Sequence, residues 1–303
     1  IPVKVNKTTE PVDTETNIVA FTRSKWTANA ETGGERTTGL STSITEPDAT
    51  NDTADKTGIA NQIENLTKSI YKYGGFYIGR YEAGVKPNAN GKSTPRTDSG
   101  NQTADCVIQQ DKYPYNMIGW GKSMSDVSKG AVYVSNKLYN TNEYGATSML
   151  CTGACWDSML DFIKDSLHSV THSSTWGNYE NSETYKIYRG SLYIYPSWSL
   201  ADKTNGTDVT KNEDVLLTTG ATERNCSKNI YDVAGNCWEW TTESDSSSTR
   251  VVRGGYYNTY NGFNGPASGR SGEHPRDSAA MATPFVLHFM YCCKKSRQKN
   301  DST

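Results

Sequence analysis

Seven cysteines, four histidines and 33 acidic residues are the groups in this chain that could act as nucleophiles, metal ligands or proton carriers. The cysteines stand at 106, 151, 155, 226, 237, 292 and 293. Cys151 and Cys155 form a CxxxC pair, but no second Cys/His pair lies close enough in sequence to complete a tetrahedral zinc site. An odd count without a repeated spacing is neither a disulfide framework nor a zinc pattern, so buried free thiols are expected. Cys292 and Cys293 are adjacent, and neighbours on a strand point to opposite faces and cannot build one site. His168 and His172 stand four apart, a spacing that shares a helix face, yet no Glu lies between them as in HExxH. They read as polar residues near a helix end. Asp126, Asp157 and Asp161 read as solvated or capping carboxylates. No P-loop, GxSxG elbow or Rossmann fingerprint is present.

The elements that must position these groups begin near Ile59. Ile63, Leu66 and Ile70 recur at three and four, which predicts an amphipathic helix stopped by Gly74-Gly75. Phe76 to Glu82 reads as an aromatic strand directly after that break. Tyr113 to Trp120 is aromatic and expected to pack, and Ser123 to Tyr139 carries apolar residues at helix-like intervals. The clearest helix is predicted from Ala154 to Leu167, where Trp156, Met159, Leu160, Ile163 and Leu167 make one apolar face. Ser173 to Thr210 is rich in Ser, Asn, Gly and Tyr and reads as extended loops, a length usually functional or locally packed. Residues 1–58 are polar and read as an arm or irregular loop segment, 59–291 as one domain, and 292–303 as a basic polar tail.

Composition bounds the function. The 303 residues are 34% hydrophobic, with 19 Tyr and 7 Trp against 6 Phe, which points to an irregular fold whose loops are held by ring packing. Net charge is -2, from 31 basic and 33 acidic residues without a large basic face. That argues against nucleic-acid binding driven by phosphate neutralisation. No window of 18 consecutive apolar residues exists, so no membrane-spanning helix is expected, and no signal peptide is legible.

The most informative stretch is Asn229-Ile230-Tyr231-Asp232-Val233-Ala234-Gly235-Asn236-Cys237-Trp238-Glu239-Trp240-Thr241. It has turn formers at Asp232 and Gly235-Asn236, then two Trp at i and i+2 whose indoles share one strand face and could brace one core layer. The segment resembles the NxYDxxGNVWEW signature of the formylglycine-generating-enzyme, or sulfatase-modifying, family, a variant of the C-type lectin fold, with Cys237 in place of the usual Val. Gly74 to Glu82 looks like the family's early strand. Cys155-Trp156-Asp157, Trp176-Gly177-Asn178 and Arg253-Gly254-Gly255 follow in family order. The resemblance spans roughly 59–291. It implies an α+β fold of the C-type lectin-like, formylglycine-generating-enzyme type, with short twisted strands, two main helices and much irregular structure.

The family contains an oxidase branch and binding proteins. The oxidase needs a reactive cysteine pair after the Arg-Gly-Gly segment, but residues 254–291 contain no cysteine and Ala267 stands where the enzyme would carry an R-C-A-x-R-like run. A diverged oxidase acting on a cysteine of a sulfatase-like substrate is therefore the alternative reading. The non-catalytic branch includes the variable proteins of diversity-generating retroelements, whose cassette after Arg-Gly-Gly displays a variable binding surface. Arg253 to Arg270 resembles such a cassette. Its Tyr, Asn, Ser and Gly content suits recognition, since Tyr supplies contact area at small entropic cost and the polar residues adapt their hydrogen bonding. Tyr256, Tyr257, Thr259, Tyr260, Phe263, Asn264, Arg270, Glu273 and His274 are the expected ligand-binding residues. The implied partner is a protein or carbohydrate on a cell surface, with the chain on a phage virion or at a bacterial surface. No cofactor is expected for catalysis. The catalytic branch binds structural calcium partly through backbone carbonyls near the Gly-Asn-x-Trp-Glu-Trp turn; here Asp232, Asn236 and Glu239 could supply oxygen ligands, but turn formation alone also explains them.

The C-terminus departs from the family ending, roughly G-x-x-F-R-P-A-L-Y-V. When each codon is regrouped from its third base, Met281-Ala282 forces Gly, Met290-Tyr291 forces Val, and the junctions between permit F-R-P-A-F-Y. The expectation is a frameshift between about Ser271 and Met281, with residues 292–303 its product. Pro284 to Tyr291 is still apolar enough to pair as a strand.

Overall fold

The computed structural model describes residues 1–2, 58–91, 93–94, 96, 100–123, 125–139, 146–179, 182–187, 192–194, 199–201, 207–209, 215–244, 247–257, 266–274, 285–286 and 289–293. Most of the polar arm at 1–58 and the tail beyond Cys293 lie outside these residues. Among the described residues the architecture is α+β, with three helices and several small, mostly antiparallel sheets.

Helix α1 (Ile59–Tyr73) follows the expected three-and-four spacing, burying Ile59, Leu66 and Ile70. It ends where Gly74 takes a left-handed conformation (φ 75°) and donates its N–H to the Ile70 carbonyl at 2.7 Å. The aromatic strand after it is shorter than expected: β1 is Tyr77–Ile78, and the chain pairs again only at β2 (Gly84–Val85) with β3 (Cys106–Val107). Helix α2 (Ala131–Leu138) and strand β4 (Ala146–Leu150) lead into helix α3 (Gly153–Ile163).

Helix α3 begins at Thr152, whose side chain accepts the Cys155 N–H at 3.1 Å. It stops four residues short of the expected Leu167. Asp165 Oδ1 captures the amides of Leu167 (2.8 Å) and His168 (2.9 Å), a side-chain alternative to the helical ladder. Leu167 is consequently 74% exposed rather than part of the apolar face. His168 and His172 lie beyond the helix, and His168 Nδ1 meets Asp165 Oδ1 at 2.9 Å.

The stretch 173–210 is not purely loop. It contains β5 (Tyr185–Ile187), β6 (Leu192–Ile194), β7 (Ser199–Ala201) and β8 (Thr207–Val209), paired as β5 with β8 and β6 with β7. Strand β9 (Val215–Leu217) joins β6, and β10 (Cys226–Ser227) pairs with β11 (Ile230–Tyr231). The signature segment supplies β12 (Trp238–Ser244), followed by β13 (Arg250–Arg253), β14 (Arg270–Glu273), β15 (Phe285–Val286) and β16 (Phe289–Cys293).

Two sheets organise the domain. One has the order β14-β13-β12-β15, antiparallel except for the parallel β12–β15 pair. The other has the order β1-β16-β4, so the last strand is central between two early ones. Its ladder with β4 runs through Cys292↔Thr147 and Cys293↔Ala146, two residues past the expected domain end. Trp120, Trp238 and Trp240 lie in one apolar cluster, as the i, i+2 spacing predicts for the last two. Trp156, Met159, Leu160, Ile163 and Trp176 lie in the other. No helix among the described residues is long and apolar enough to cross a membrane.

Candidate functional site

The signature turn is built from residues suited to left-handed backbone. Asp232 (φ 59°), Gly235 (φ 82°) and Asn236 (φ 63°) all have positive φ, and Asp, Gly and Asn tolerate this best. The turn is then tied to its surroundings through the main chain. Gly235 N–H donates to Gly254 O at 2.7 Å, Asn236 N–H to Asn178 O at 2.7 Å, and Tyr257 N–H to Asn236 O at 3.2 Å. The turn thereby holds the Arg-Gly-Gly root from below. Gly254 itself has φ 88°, and a Cβ there would stand 2.9 Å from Val233 O and against the Glu239 carboxylate.

Under this root lie three fully buried carboxyl groups, Glu82, Asp232 and Glu239. Burial pushes the Glu82 carboxyl well above its usual range, and the neighbouring Asp232 adds to the shift. Glu239 is raised by burial and by Glu82 and Asp232. Asp232 is raised to about 7 by burial, against hydrogen bonds from Gly220 and Asn225 that favour its ionised form. Burial and mutual repulsion thus favour the neutral form of all three acids.

Of the side chains that could supply oxygens to calcium, Asn236 is already fully engaged in hydrogen bonds. Calcium takes six to eight oxygen ligands. Asn236 Oδ1 accepts from Leu217 N–H (2.9 Å) and Asn178 Nδ2 (3.0 Å), while its Nδ2 donates to Leu217 O (3.3 Å) and Glu82 Oε2 (2.7 Å). The Leu217 main chain contacts both ends of the amide and so settles its orientation: a donor, not an oxygen, faces the carboxylates. Among the described residues no group of three or more His, Cys, Asp or Glu is placed to hold a metal ion.

The largest departure from expectation is Asp157. It is buried, not solvated, and its Oδ1 accepts from Arg253 Nη2 at 2.5 Å. Arg253 Nε donates to Glu243 Oε2 at 2.8 Å. Arg270 Nη2 approaches Glu243 Oε1 at 3.4 Å as an ion pair. Two carboxylates and two guanidiniums thus form one buried, charge-balanced chain from α3 through β12 and β13 to β14. The register of β12 shifts between Trp240 and Ser244, and Glu243 reaches Arg253 from this irregular stretch. Beside it the Arg250 guanidinium stacks on Trp120, 4.1 Å from the ring centroid.

These charges seat both stems of the expected ligand segment. Arg253 and Arg270 are register partners in the β13–β14 ladder, and Gly254 N–H donates to Gly269 O at 3.2 Å. The nine expected ligand residues divide accordingly. Tyr257 (1% exposed) and Arg270 (6%) are buried in the root and the returning stem. Tyr256 is half-buried, 6.2 Å from the Trp238 ring, with Glu273 half-buried and His274 exposed. Thr259, Tyr260, Phe263 and Asn264 lie outside the described residues. Reading the sequence for chemistry missed Asp157, Glu243 and Arg250. Only Asp157 left a trace, since it stands three residues from both Ala154 and Leu160 on the buried side of α3.

Cys106, Cys151, Cys155 and Cys237 are buried and Cys226 is partly exposed, and none of these five is in a disulfide. Burial pushes Cys106 up to about 12. Cys237 is raised by burial and by the three neighbouring carboxyls, and Cys226 is also raised by burial. Ala267 is fully buried, its carbonyl accepting from Trp156 Nε1 at 3.2 Å.

No protein-family model matches the chain, and no curated protein matches it. Among solved structures it is similar to Treponema denticola variable protein 1, with 16% sequence identity over 49% of this chain and a TM-score of 0.26. The match covers 48% of that protein, about half its length.

Proposed function

We propose that the chain is a non-catalytic binding protein with a C-type lectin-like domain of the formylglycine-generating-enzyme type. Its ligand surface is carried by the Tyr-rich segment between Arg253 and Arg270, extended by Glu273 and His274. The ligand is a protein or carbohydrate on a cell surface, and the setting is attachment by a phage virion or at a bacterial surface. The observation that carries this reading is the anchoring of both segment ends by buried charges, with Tyr256 left partly exposed beside them. Such a root reduces the ordering cost of a recognition loop. Burial of Cys106, Cys226 and Cys237 disfavours the reactive thiolate at these three positions.

The test is adhesion of the fluorescently labelled chain to intact bacterial cells and to a printed glycan panel. Joint replacement of Tyr256, Tyr260 and Phe263 by Ala abolishes specific binding while the thermal midpoint stays near that of the parent. Copper-dependent conversion of a Cys-containing peptide to formylglycine by the parent would overturn the reading. An adjacent reverse-transcriptase gene with a near-copy of the C-terminal coding segment would add genomic support.

A further inference from the structure

We propose that Asp157 and Glu243 are positioning residues for the segment between Arg253 and Arg270, forming a buried anionic seat that keeps its root in one geometry whatever side chains the segment displays. The inference rests on the reading of that segment as the ligand surface, but concerns residues outside it.

The seat is assembled from separate parts of the chain. Asp157 comes from α3 and Glu243 from the irregular stretch of β12. Arg253 directs Nη2 to the first and Nε to the second, so its planar guanidinium is oriented from two sides. Glu243 also meets Arg270 on the returning stem, and Thr241 Oγ1 donates to Glu243 Oε2 at 3.0 Å. Both stems therefore answer to the same carboxylate. Buried ion pairs add little stability compared with a well-packed apolar replacement, whereas loss of one partner leaves an uncompensated charge. Fixing register and orientation is the better-attested use of such a cluster.

Independence from the displayed side chains follows from the other hydrogen bonds of the root, which engage main-chain atoms of the segment. Gly254 O accepts from Gly235 N–H, and Tyr257 N–H donates to Asn236 O. Ser268 N–H donates to Val170 O at 3.0 Å, and Gly269 N–H to Pro266 O at 2.7 Å. None of these requires a particular side chain between 258 and 265. Trp156, next to Asp157 on α3, adds a bond to Ala267 O on the returning limb. Helix α3 thus holds the outgoing limb by charge and the returning limb by a hydrogen bond.

Amide hydrogen exchange on the full chain tests the seat without any ligand. Asp157→Asn is expected to speed exchange at the Gly254 and Tyr257 amides by about tenfold or more, while Val134 in α2 stays within about twofold of the parent. Equal acceleration at all three sites would reduce Asp157 to a general stabilising residue and overturn the proposal, as would unchanged exchange at Gly254 and Tyr257. If Asp157→Asn does not fold, Arg270→Lys carries the test: it keeps the charge, loses the planar fork, and is expected to give the same selective pattern. Because the readout is ligand-free, failure of the seat is distinguishable from failure of the binding reading, which the adhesion of the Tyr256, Tyr260 and Phe263 variant decides separately.

Discussion

Asn236 donates its Nδ2–H to Glu82 Oε2 at 2.7 Å, joining residues 154 positions apart beneath the Arg-Gly-Gly root. The same amide pairs with both main-chain groups of Leu217, so one side chain connects the early strand region, β9 and the signature turn. Three raised carboxyl groups and a left-handed turn are held around it.

Replacing Asn236 by Ala removes these bonds and the one from Asn178, leaving buried groups unsatisfied. The expected loss is about 3 kcal/mol or more, since each orphaned buried group costs about 1–3 kcal/mol. Urea denaturation of parent and variant measures it. A loss below about 1 kcal/mol would show that water replaces the amide.

Folding raises Asp232 from 3.8 to about 7, and raises Glu82 and Glu239 in the same direction. The folded chain then binds more protons than the unfolded one. The stability linked to Asp232 is fully present below 3.8 and is lost as pH rises through about 7. Asp126, lowered to about 2, works in the opposite sense but only at pH values below its ordinary 3.8. The urea midpoint is therefore expected to be higher at pH 5 than at pH 8, and Asp232→Asn flattens the slope. A midpoint that does not change across this interval would mean that the buried acids are already ionised in the folded protein at pH 5.

Gly254→Ala places a Cβ against the Glu239 carboxylate and 2.9 Å from Val233 O, on a backbone at φ 88°. Strain of this kind costs about 1–3 kcal/mol before the close contacts are counted. The variant is expected to lower the thermal midpoint and to speed exchange at Gly235, whose N–H bonds to Gly254 O. A midpoint equal to that of the parent would show that the root relaxes freely.

Iodoacetamide labelling of the native chain is expected to modify Cys226 before Cys106, Cys151, Cys155 and Cys237, because those four are buried and it is not. Cys106, Cys151, Cys155 and Cys237 react only after unfolding. Mass mapping distinguishes them, and prompt native labelling of Cys237 would contradict its burial among three carboxyls.

The gene offers a separate check. Codons for Met281 to Cys293, read from their third bases, are expected to give G-x-x-F-R-P-A-F-Y-V-L-L. Codons incompatible with F-R-P-A would remove the frameshift explanation for residues 292–303.

Local pattern carried much of this protein by itself. Helix α1 and its glycine stop follow from apolar spacing, because an amphipathic helix must bury one stripe and Gly accepts the left-handed C-cap. The turn at Asp232, Gly235 and Asn236 was legible for the same reason: few residue types tolerate its backbone. The shared burial of Trp238 and Trp240 follows from strand periodicity. The early end of α3 was not legible, since the competing hydrogen bonds of Asp165 outweighed an apolar spacing that ran on to Leu167. Tertiary structure alone decided that Asp157 meets Arg253, that a bent β12 brings Glu243 to both arginine stems, and that Tyr257 and Arg270 face inward. Such pairings depend on which distant elements share a low-dielectric interior, where a charge is tolerable only beside its partner. Sequence spacing encodes which side a residue faces, but not which charge awaits it there.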